Sequence, residues 1–212
     1  MKNLFVTAAV AAALTGSAMA DIEASSGWED TSSPAILGSF NNLFDWGYES
    51  ADVYSGNHSL FLIEDPVSGT PQAYVAWVTG LSAGDTVTAT MWMKGASNGV
   101  DNDGKGRLWG HYSSNDDITT YLGSASGSGD YAGEGGIWTQ ASHTWTIADG
   151  QTALVIEARM YSYGENNVLL GDDLMVSTNN DGAMITVAGV IPAPGAIALL
   201  GVAGLASRRR RG

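Results

Sequence analysis

Two short stretches set aromatic and cationic residues on alternate positions, the arrangement a sugar-binding face needs. In 86–94, Val87, Ala89, Met91 and Met93 fall on one face of a strand; Thr86, Thr88, Thr90, Trp92 and Lys94 fall on the other. The apolar set claims the core, so Trp92 points away from it, which is unusual for so large a ring. In 107–112 the alternating set is Arg107, Trp109 and His111. A hairpin around the Gly-rich loop 95–106, pairing Lys94 with Arg107, predicts Trp92 opposite Trp109 and Thr90 opposite His111. Directly opposed side chains sit about 5 Å apart at Cβ. Two neighbouring indoles then make a flat apolar platform with Arg107 and His111 at its edge, suited to the C–H groups and hydroxyls of a sugar ring. Glu157, Arg159 and Tyr161, on the non-core face of another strand, extend that platform. The alternative is that a long loop such as 31–56 covers both rings and makes them a second small core.

Other chemistries lack their residues. A glycosidase needs two carboxylates placed across a cleft, one with a raised pKa, and no spacing singles out such a pair. There is no Gly-x-Ser-x-Gly elbow, no His-Glu-x-x-His helix and no cysteine. His58, His111 and His143 are scattered. Asp101-Asn102-Asp103-Gly104 is a solvated turn rather than a calcium loop, because Gly99 and the missing downstream Glu break the EF-hand spacing. The expectation is a protein without catalytic activity.

The elements that position these residues are strands. Twenty-eight glycines and many Ser, Asn and Asp punctuate short alternating runs, and no segment holds a helical period for three turns. That pattern predicts an all-β sandwich or barrel. Strands are expected at 57–63, 72–78, 86–94, 107–112, 142–148, 152–161 and 167–176, with 31–56 irregular. In 72–78, Tyr74, Ala76 and Val78 share one face, and Trp77 shares the other with Val75. In 152–161, Leu154, Ile156, Ala158 and Met160 point inward. Trp145 belongs to the core and Trp28 packs under a sheet end; Trp46 and Trp138 have no assigned place.

Both ends carry addresses. Lys2, the apolar run 4–14 and Ala18-Met19-Ala20 make 1–20 a secretory signal peptide, cleaved by signal peptidase before Asp21. At the other end, Pro192-Ala193-Pro194 precedes an uncharged run, 195–206, and then Arg208, Arg209, Arg210 and Arg211. As a helix that run spans about 18 Å, short of the roughly 30 Å hydrocarbon core, and the arginines stop it on the cytoplasmic side. Pro-x-Pro, apolar helix and arginine cluster together resemble the PEP-CTERM sorting signal of bacterial exported proteins. The resemblance implies recognition by an exosortase-type transpeptidase after transient membrane anchoring; Ala193 stands where that signature has Glu. The organisation expected is signal peptide 1–20, one β domain 21–178, a linker 179–191 and a sorting segment 192–212.

Between the two addresses lie four cations, Lys94, Lys105, Arg107 and Arg159, against 22 acids, a net charge of −18. Such a surface repels phosphate backbones and excludes nucleic acid as a partner. Export permits disulfides, yet the chain has no cysteine, so stability rests on the core.

The succession Gly27-Trp28-Glu29-Asp30, Ser55-Gly56-Asn57-His58-Ser59-Leu60, Leu81-Ser82-Ala83-Gly84-Asp85, the strand ending Trp92-Met93-Lys94, Trp138, and Asp172-Asp173-Leu174-Met175-Val176 resembles the carbohydrate-binding modules of the galactose-binding-like jelly roll. The resemblance implies a two-sheet antiparallel jelly-roll sandwich. It also implies a structural calcium ion held between Glu29 and Asp172 or Asp173. Strand alternation sends the two aspartates to opposite sides, so at most one is a direct ligand, and carbonyls complete the shell. The function expected is an exported, surface-sorted carbohydrate-binding or extracellular-matrix component. A structural surface protein without a small ligand is the alternative, and a glycoside hydrolase comes third.

Overall fold

The structure, a computed structural model, describes residues 21–66, 69–96, 104–161 and 168–190. The signal peptide, the Asp101–Asp103 turn and the sorting segment with Pro192, Ala193, Pro194 and Arg208 to Arg211 lie outside the described residues. The chain forms an all-β sandwich of two antiparallel sheets, a jelly roll. Sheet A contains β1 (Ile22–Ser26), β3 (Leu43–Glu49), β4 (Ser59–Glu64), β6 (Thr86–Ala96), β9 (Thr139–Thr146) and β11 (Val168–Thr178). Sheet B contains β2 (Gly38–Phe40), β5 (Gln72–Thr79), β7 (Lys105–Ser113), β8 (Gly123–Gly127), β10 (Ala153–Tyr161) and β12 (Met184–Val187). Sheet A runs β3-β4-β11-β6-β9, with β1 also on β11; sheet B runs β12-β5-β10-β7-β8, with β2 also on β5.

The inward alternation holds in the long strands. Val87, Ala89, Met91 and Met93 of β6 and Leu154, Ile156, Ala158 and Met160 of β10 are all buried, facing one another across the two layers. Full burial of a side chain of that size contributes about 1.5–3 kcal/mol. Trp145 reaches from β9 toward sheet B, and a Cβ at Gly110 would lie 2.8 Å from its Nε1. Only glycine leaves room for that indole, whose N–H donates to Ser126 O at 3.0 Å. Trp28 closes one end of the core, fully buried, its Nε1 donating to Ala35 O at 2.8 Å.

Several sequence expectations are corrected. The 31–56 stretch is not irregular throughout: it supplies β2, too short to show a period, and β3, where a register shift after Leu43 and the exposed Phe44 and Trp46 break the alternation. β1 and β8 are built mostly of Ser, Ala and Gly and carry little hydrophobic contrast. The supposed linker 179–191 contains β12, which pairs with β5 after the Asp181-Gly182 turn, so sheet B extends to Val187. β6 and β7 do not form a hairpin. β6 lies between β11 and β9 in sheet A, whereas β7 lies between β10 and β8 in sheet B. The connection between them crosses from one sheet to the other, so Trp92 and Trp109 are not opposed.

In β5 the pairs Ala76↔Ile156 and Tyr74↔Glu157 leave Val75 as an extra residue. This bulge reverses the facing of everything before it. Val75 joins the core with Ala76 and Val78, while Tyr74 turns to the outer face beside Glu157. Trp77 therefore does not share a face with Val75; its Nε1 donates to Ser113 Oγ at 3.0 Å on the outside of sheet B.

Candidate functional site

The outer face of sheet B is built by the alternate residues of β7 and β10. The register sets His111 beside Val155, Trp109 beside Glu157 and Arg107 beside Arg159. Six of the seven residues expected at the ligand face, Arg107, Trp109, His111, Glu157, Arg159 and Tyr161, thus belong to one surface. Trp92 lies on the opposite sheet.

At the centre of this surface sits a buried carboxylate. Glu157 is 1% exposed and receives Arg159 Nε at 2.6 Å. His111, equally inaccessible, directs its Nδ1 at Glu157 Oε1; facing a carboxylate, that nitrogen is the donor. Gln72, with its amide nitrogen turned inward, donates to Glu157 Oε2 at 3.0 Å. Removing a carboxylate from water is costly unless its lone pairs are met, and here three side chains from β5, β7 and β10 meet them. The network fixes Arg159, whose guanidinium lies over the Trp109 ring at 4.5 Å. Trp109 is anchored in turn by its N–H to Ser124 Oγ at 2.9 Å.

Above this network opens a cavity of about 370 Å³, lined by Phe40, Gln72, Tyr74, His111, Thr119, Tyr121 and Arg159. Phe40 is delivered by β2, paired with Gln72 of β5. On the same strand Gly38 stands opposite Tyr74, where a Cβ would come within 2.8 Å of the phenol ring. The Tyr74 and His111 rings are 5.1 Å apart, and those of His111 and Tyr121 5.6 Å. Phe40 and Tyr121 are 56% and 67% exposed, which leaves the mouth of the cavity aromatic. Tyr121 rides on the loop between β7 and β8. Asp117 holds that loop by accepting from Thr119 N and Oγ1 and from Thr120 Oγ1, and these bonds keep its carboxyl below the usual range. Burial, then the charge of Glu157, pushes the Tyr74 phenol above its ordinary value.

Of the residues expected from the sequence, His111 and Arg159 line the cavity, and Glu157 lies beneath it. Arg107 lies beside Arg159 on the neighbouring strand, and Tyr161 two residues further along β10. Arg107 donates to Gly129 O and lies 4.2 Å from the Tyr131 ring, which packs edge-on to Tyr161 at 5.0 Å. Phe40, Gln72, Tyr74, Thr119 and Tyr121 were missed. Tyr74 was assigned to the core because the bulge at Val75 leaves no mark in the hydrophobic pattern. Tyr121 lies in a loop, where alternation says nothing.

Trp92 is half-buried on the outer face of sheet A, stacked on Tyr54 with centroids 4.0 Å apart and planes at 14°. The loop 50–58 that carries Tyr54 therefore covers Trp92; the alternative reading, one loop over both indoles, fails for Trp109, which stands on the other sheet. Lys94 joins the same cover through Asp52 at 2.6 Å.

Glu29, Asp172 and Asp173 hold that loop down. Glu29 accepts from the backbone N–H of Asn57 and of His58, at 2.8 and 3.1 Å, and these donors keep its carboxyl below the usual range. Asp172 accepts from Tyr54 N and Ser55 N, both at 3.0 Å, while burial pushes its carboxyl up. Asp173 accepts from Ser55 Oγ at 2.8 Å. The two aspartates do not point to opposite sides: β11 is bulged between Asp172 and Met175, and Asp173 has φ 45°. Both carboxylates thus turn toward the same loop. As placed, these oxygens face N–H and O–H donors, which compete with a cation. Among the described residues no three His, Cys, Asp or Glu side chains are grouped to hold a metal ion. The arrangement does not fit the calcium shell expected from the sequence.

No protein-family model matches the sequence, and no curated protein matches it. Among solved structures the chain is similar to the CBM22-1 xylan-binding domain from Paenibacillus barcinonensis, at 12% identity and TM-score 0.47 over 74% of this chain and 94% of that one. It is also similar to the C-terminal family 22 carbohydrate binding module of a Clostridium thermocellum protein, at 13% identity and TM-score 0.48 over 80% and 94%.

Proposed function

We propose that this protein is an exported, non-catalytic carbohydrate-binding protein whose site is the cavity on the outer face of sheet B. The observation that carries this reading is the cavity itself. It is concave, its aromatic rim of Phe40 and Tyr121 is open to solvent, and its polar groups His111, Arg159 and Gln72 are fixed on three strands by Glu157. Sugar rings stack their C–H faces on such rims and place hydroxyls on such polar groups. None of the described lining residues is a carboxylate, which favours binding over glycoside hydrolysis. A glycan array, xylans included, tests the reading. Wild-type protein is expected to retain specific glycans that the Phe40→Ala/Tyr121→Ala variant loses. Absence of binding to every glycan would favour a structural surface protein without a small ligand.

The ends of the chain give this binder its address in the same proposal. Signal peptidase removes 1–20, and the 192–212 segment holds the protein at the membrane until an exosortase-type enzyme sorts it to the envelope, surface or extracellular matrix. Truncation after Val190 is expected to release the protein into the medium; equal retention of the truncated form refutes the sorting role. If processing occurs, mass spectrometry of the mature protein will lack Arg208 to Arg211.

A further inference from the structure

We infer that the polysaccharide taken by the sheet-B cleft is anionic, a polyuronate whose carboxylates meet Arg159 and its cationic neighbours. This inference rests on the carbohydrate-binding reading and narrows it to a ligand class.

The placement of charge is the first observation. Between residues 21 and 191 the chain has four cations and 22 acids. Three of those cations, Lys105, Arg107 and Arg159, stand on β7 and β10 of one sheet, with Arg107 and Arg159 directly paired in register. Scattered at random over so acidic a surface, they would not converge on the strands that floor its aromatic cavity. Lys105 pairs with Glu134 and Arg159 through its Nε with Glu157, which leaves Arg107 and the terminal nitrogens of Arg159 for a ligand; the fourth cation, Lys94, is on sheet A and pairs with Asp52.

The second observation is what the cleft lacks. Its described lining holds no carboxylate: Arg159 is its one guanidinium, His111 and Gln72 direct N–H groups down to Glu157, and three hydroxyls complete it. Glu157 lies under the floor with both oxygens already met by His111, Arg159 and Gln72, and at 1% exposure it cannot take a sugar hydroxyl. Asp117, near the rim, turns its carboxylate into its own loop. A neutral sugar finds only uncharged acceptors there for its hydroxyl hydrogens. A uronate carboxylate only accepts, and guanidinium groups meet it through charge-assisted, often bidentate bonds.

Arg107 gives the third. Its guanidinium lies over Tyr131 and donates to Gly129 O, its Nε is buried without a partner, and among the described residues it forms no ion pair with a carboxylate. A cation left without a counter-ion in a 21–191 region of net charge −18 is a local inversion of the field, and such inversions in concave surfaces attract and orient ligands of opposite charge. A polymer crossing the strands from β2 to β7 would meet Phe40, then Arg159, then Arg107, which the register sets in one row.

The test compares one backbone in two charge states. Affinities of the purified protein are measured for polygalacturonate and alginate, for the fully methyl-esterified form of each, and for neutral xylan and mannan. EDTA is present throughout, so that calcium cannot bridge acidic protein to acidic polymer. The expected result is at least about tenfold tighter binding to a free-acid polymer than to its ester, as for a charge-assisted contact, an advantage that shrinks as salt is raised. Arg107→Gln, which leaves the Glu157 network intact, is expected to reduce the free-acid preference while binding of the esters stays at the wild-type level. Equal or tighter binding to the esters or neutral glycans overturns the anionic assignment and leaves the carbohydrate-binding reading standing. Binding to no glycan of either charge overturns both.

Discussion

On sheet A the outward-facing Trp92 lies beneath Tyr54, whereas on sheet B Phe40 and Tyr121 stand open around a cavity. Both faces carry aromatic residues on strands whose other side is core. They differ in what the acidic residues do. On sheet A, Glu29, Asp172 and Asp173 capture the backbone and side-chain donors of the 50–58 loop and hold it over the indole. On sheet B the acidic residue Glu157 is sunk into the floor, where it fixes Arg159 and His111 and covers nothing. An outward aromatic is therefore not by itself a binding site. Whether it is covered or presented depends on where the neighbouring carboxylates send their hydrogen bonds.

Breaking the Glu157 network is the harshest test of this contrast. Glu157→Ala strands Arg159 and His111 on a buried floor, and is expected to cost about 3–5 kcal/mol of unfolding free energy in denaturant titration. If stability were unchanged, the floor would not be held together by this carboxylate. Trp92→Ala comes next: it removes a half-buried ring and its stacking on Tyr54, for a loss of about 1–2 kcal/mol. Glycan affinity should stay at the wild-type level, and any fall in affinity would return Trp92 to the binding site.

Tyr121→Ala should behave in the opposite sense. The ring is mostly exposed, so stability moves by less than about 0.5 kcal/mol, while affinity for a retained glycan drops about tenfold, or about 1.4 kcal/mol. Calorimetry alongside thermal melting separates the two outcomes. EDTA addresses the acidic trio: with its oxygens on N–H and O–H donors, chelation is expected to leave the melting midpoint where it was. A fall that added calcium reverses would mean that the trio rearranges around an ion.

The smallest effect is expected at alkaline pH. The Tyr74 phenol is held above its ordinary value, first by burial and then by Glu157, so folding favours its protonated form. That contribution is fully present below the unfolded pKa and is lost as pH rises through the raised folded value. Tyr74→Phe should therefore lose less stability than wild type between about pH 9 and about pH 11. Identical slopes would show that Tyr74 titrates as it does in the unfolded chain.

The sequence by itself determined the strand class, the inward faces of β6 and β10, and the outward direction of Trp92, Trp109, Arg107, Glu157 and Arg159. Each follows from period-two alternation against an unambiguous apolar set, a local property that neighbouring strands cannot reverse. The strands β1, β2, β3, β8 and β12 were not legible: β1, β2 and β8 are short runs with Ser, Ala and Gly of little hydrophobic contrast, β3 is bulged and turns Phe44 and Trp46 to solvent, and β12 is only four residues long. The tertiary structure alone decided which outward faces became neighbours. It sent β6 and β7 to different sheets, which separated Trp92 from Trp109 and joined the β7 set to Glu157 and Arg159. It also inserted Val75 and bulged β11 after Asp172, turning Tyr74 into the cavity and bringing both aspartates onto one loop. A single extra residue reverses the facing of a strand at almost no cost in local pattern, so alternation fixes two faces only as far as the next bulge.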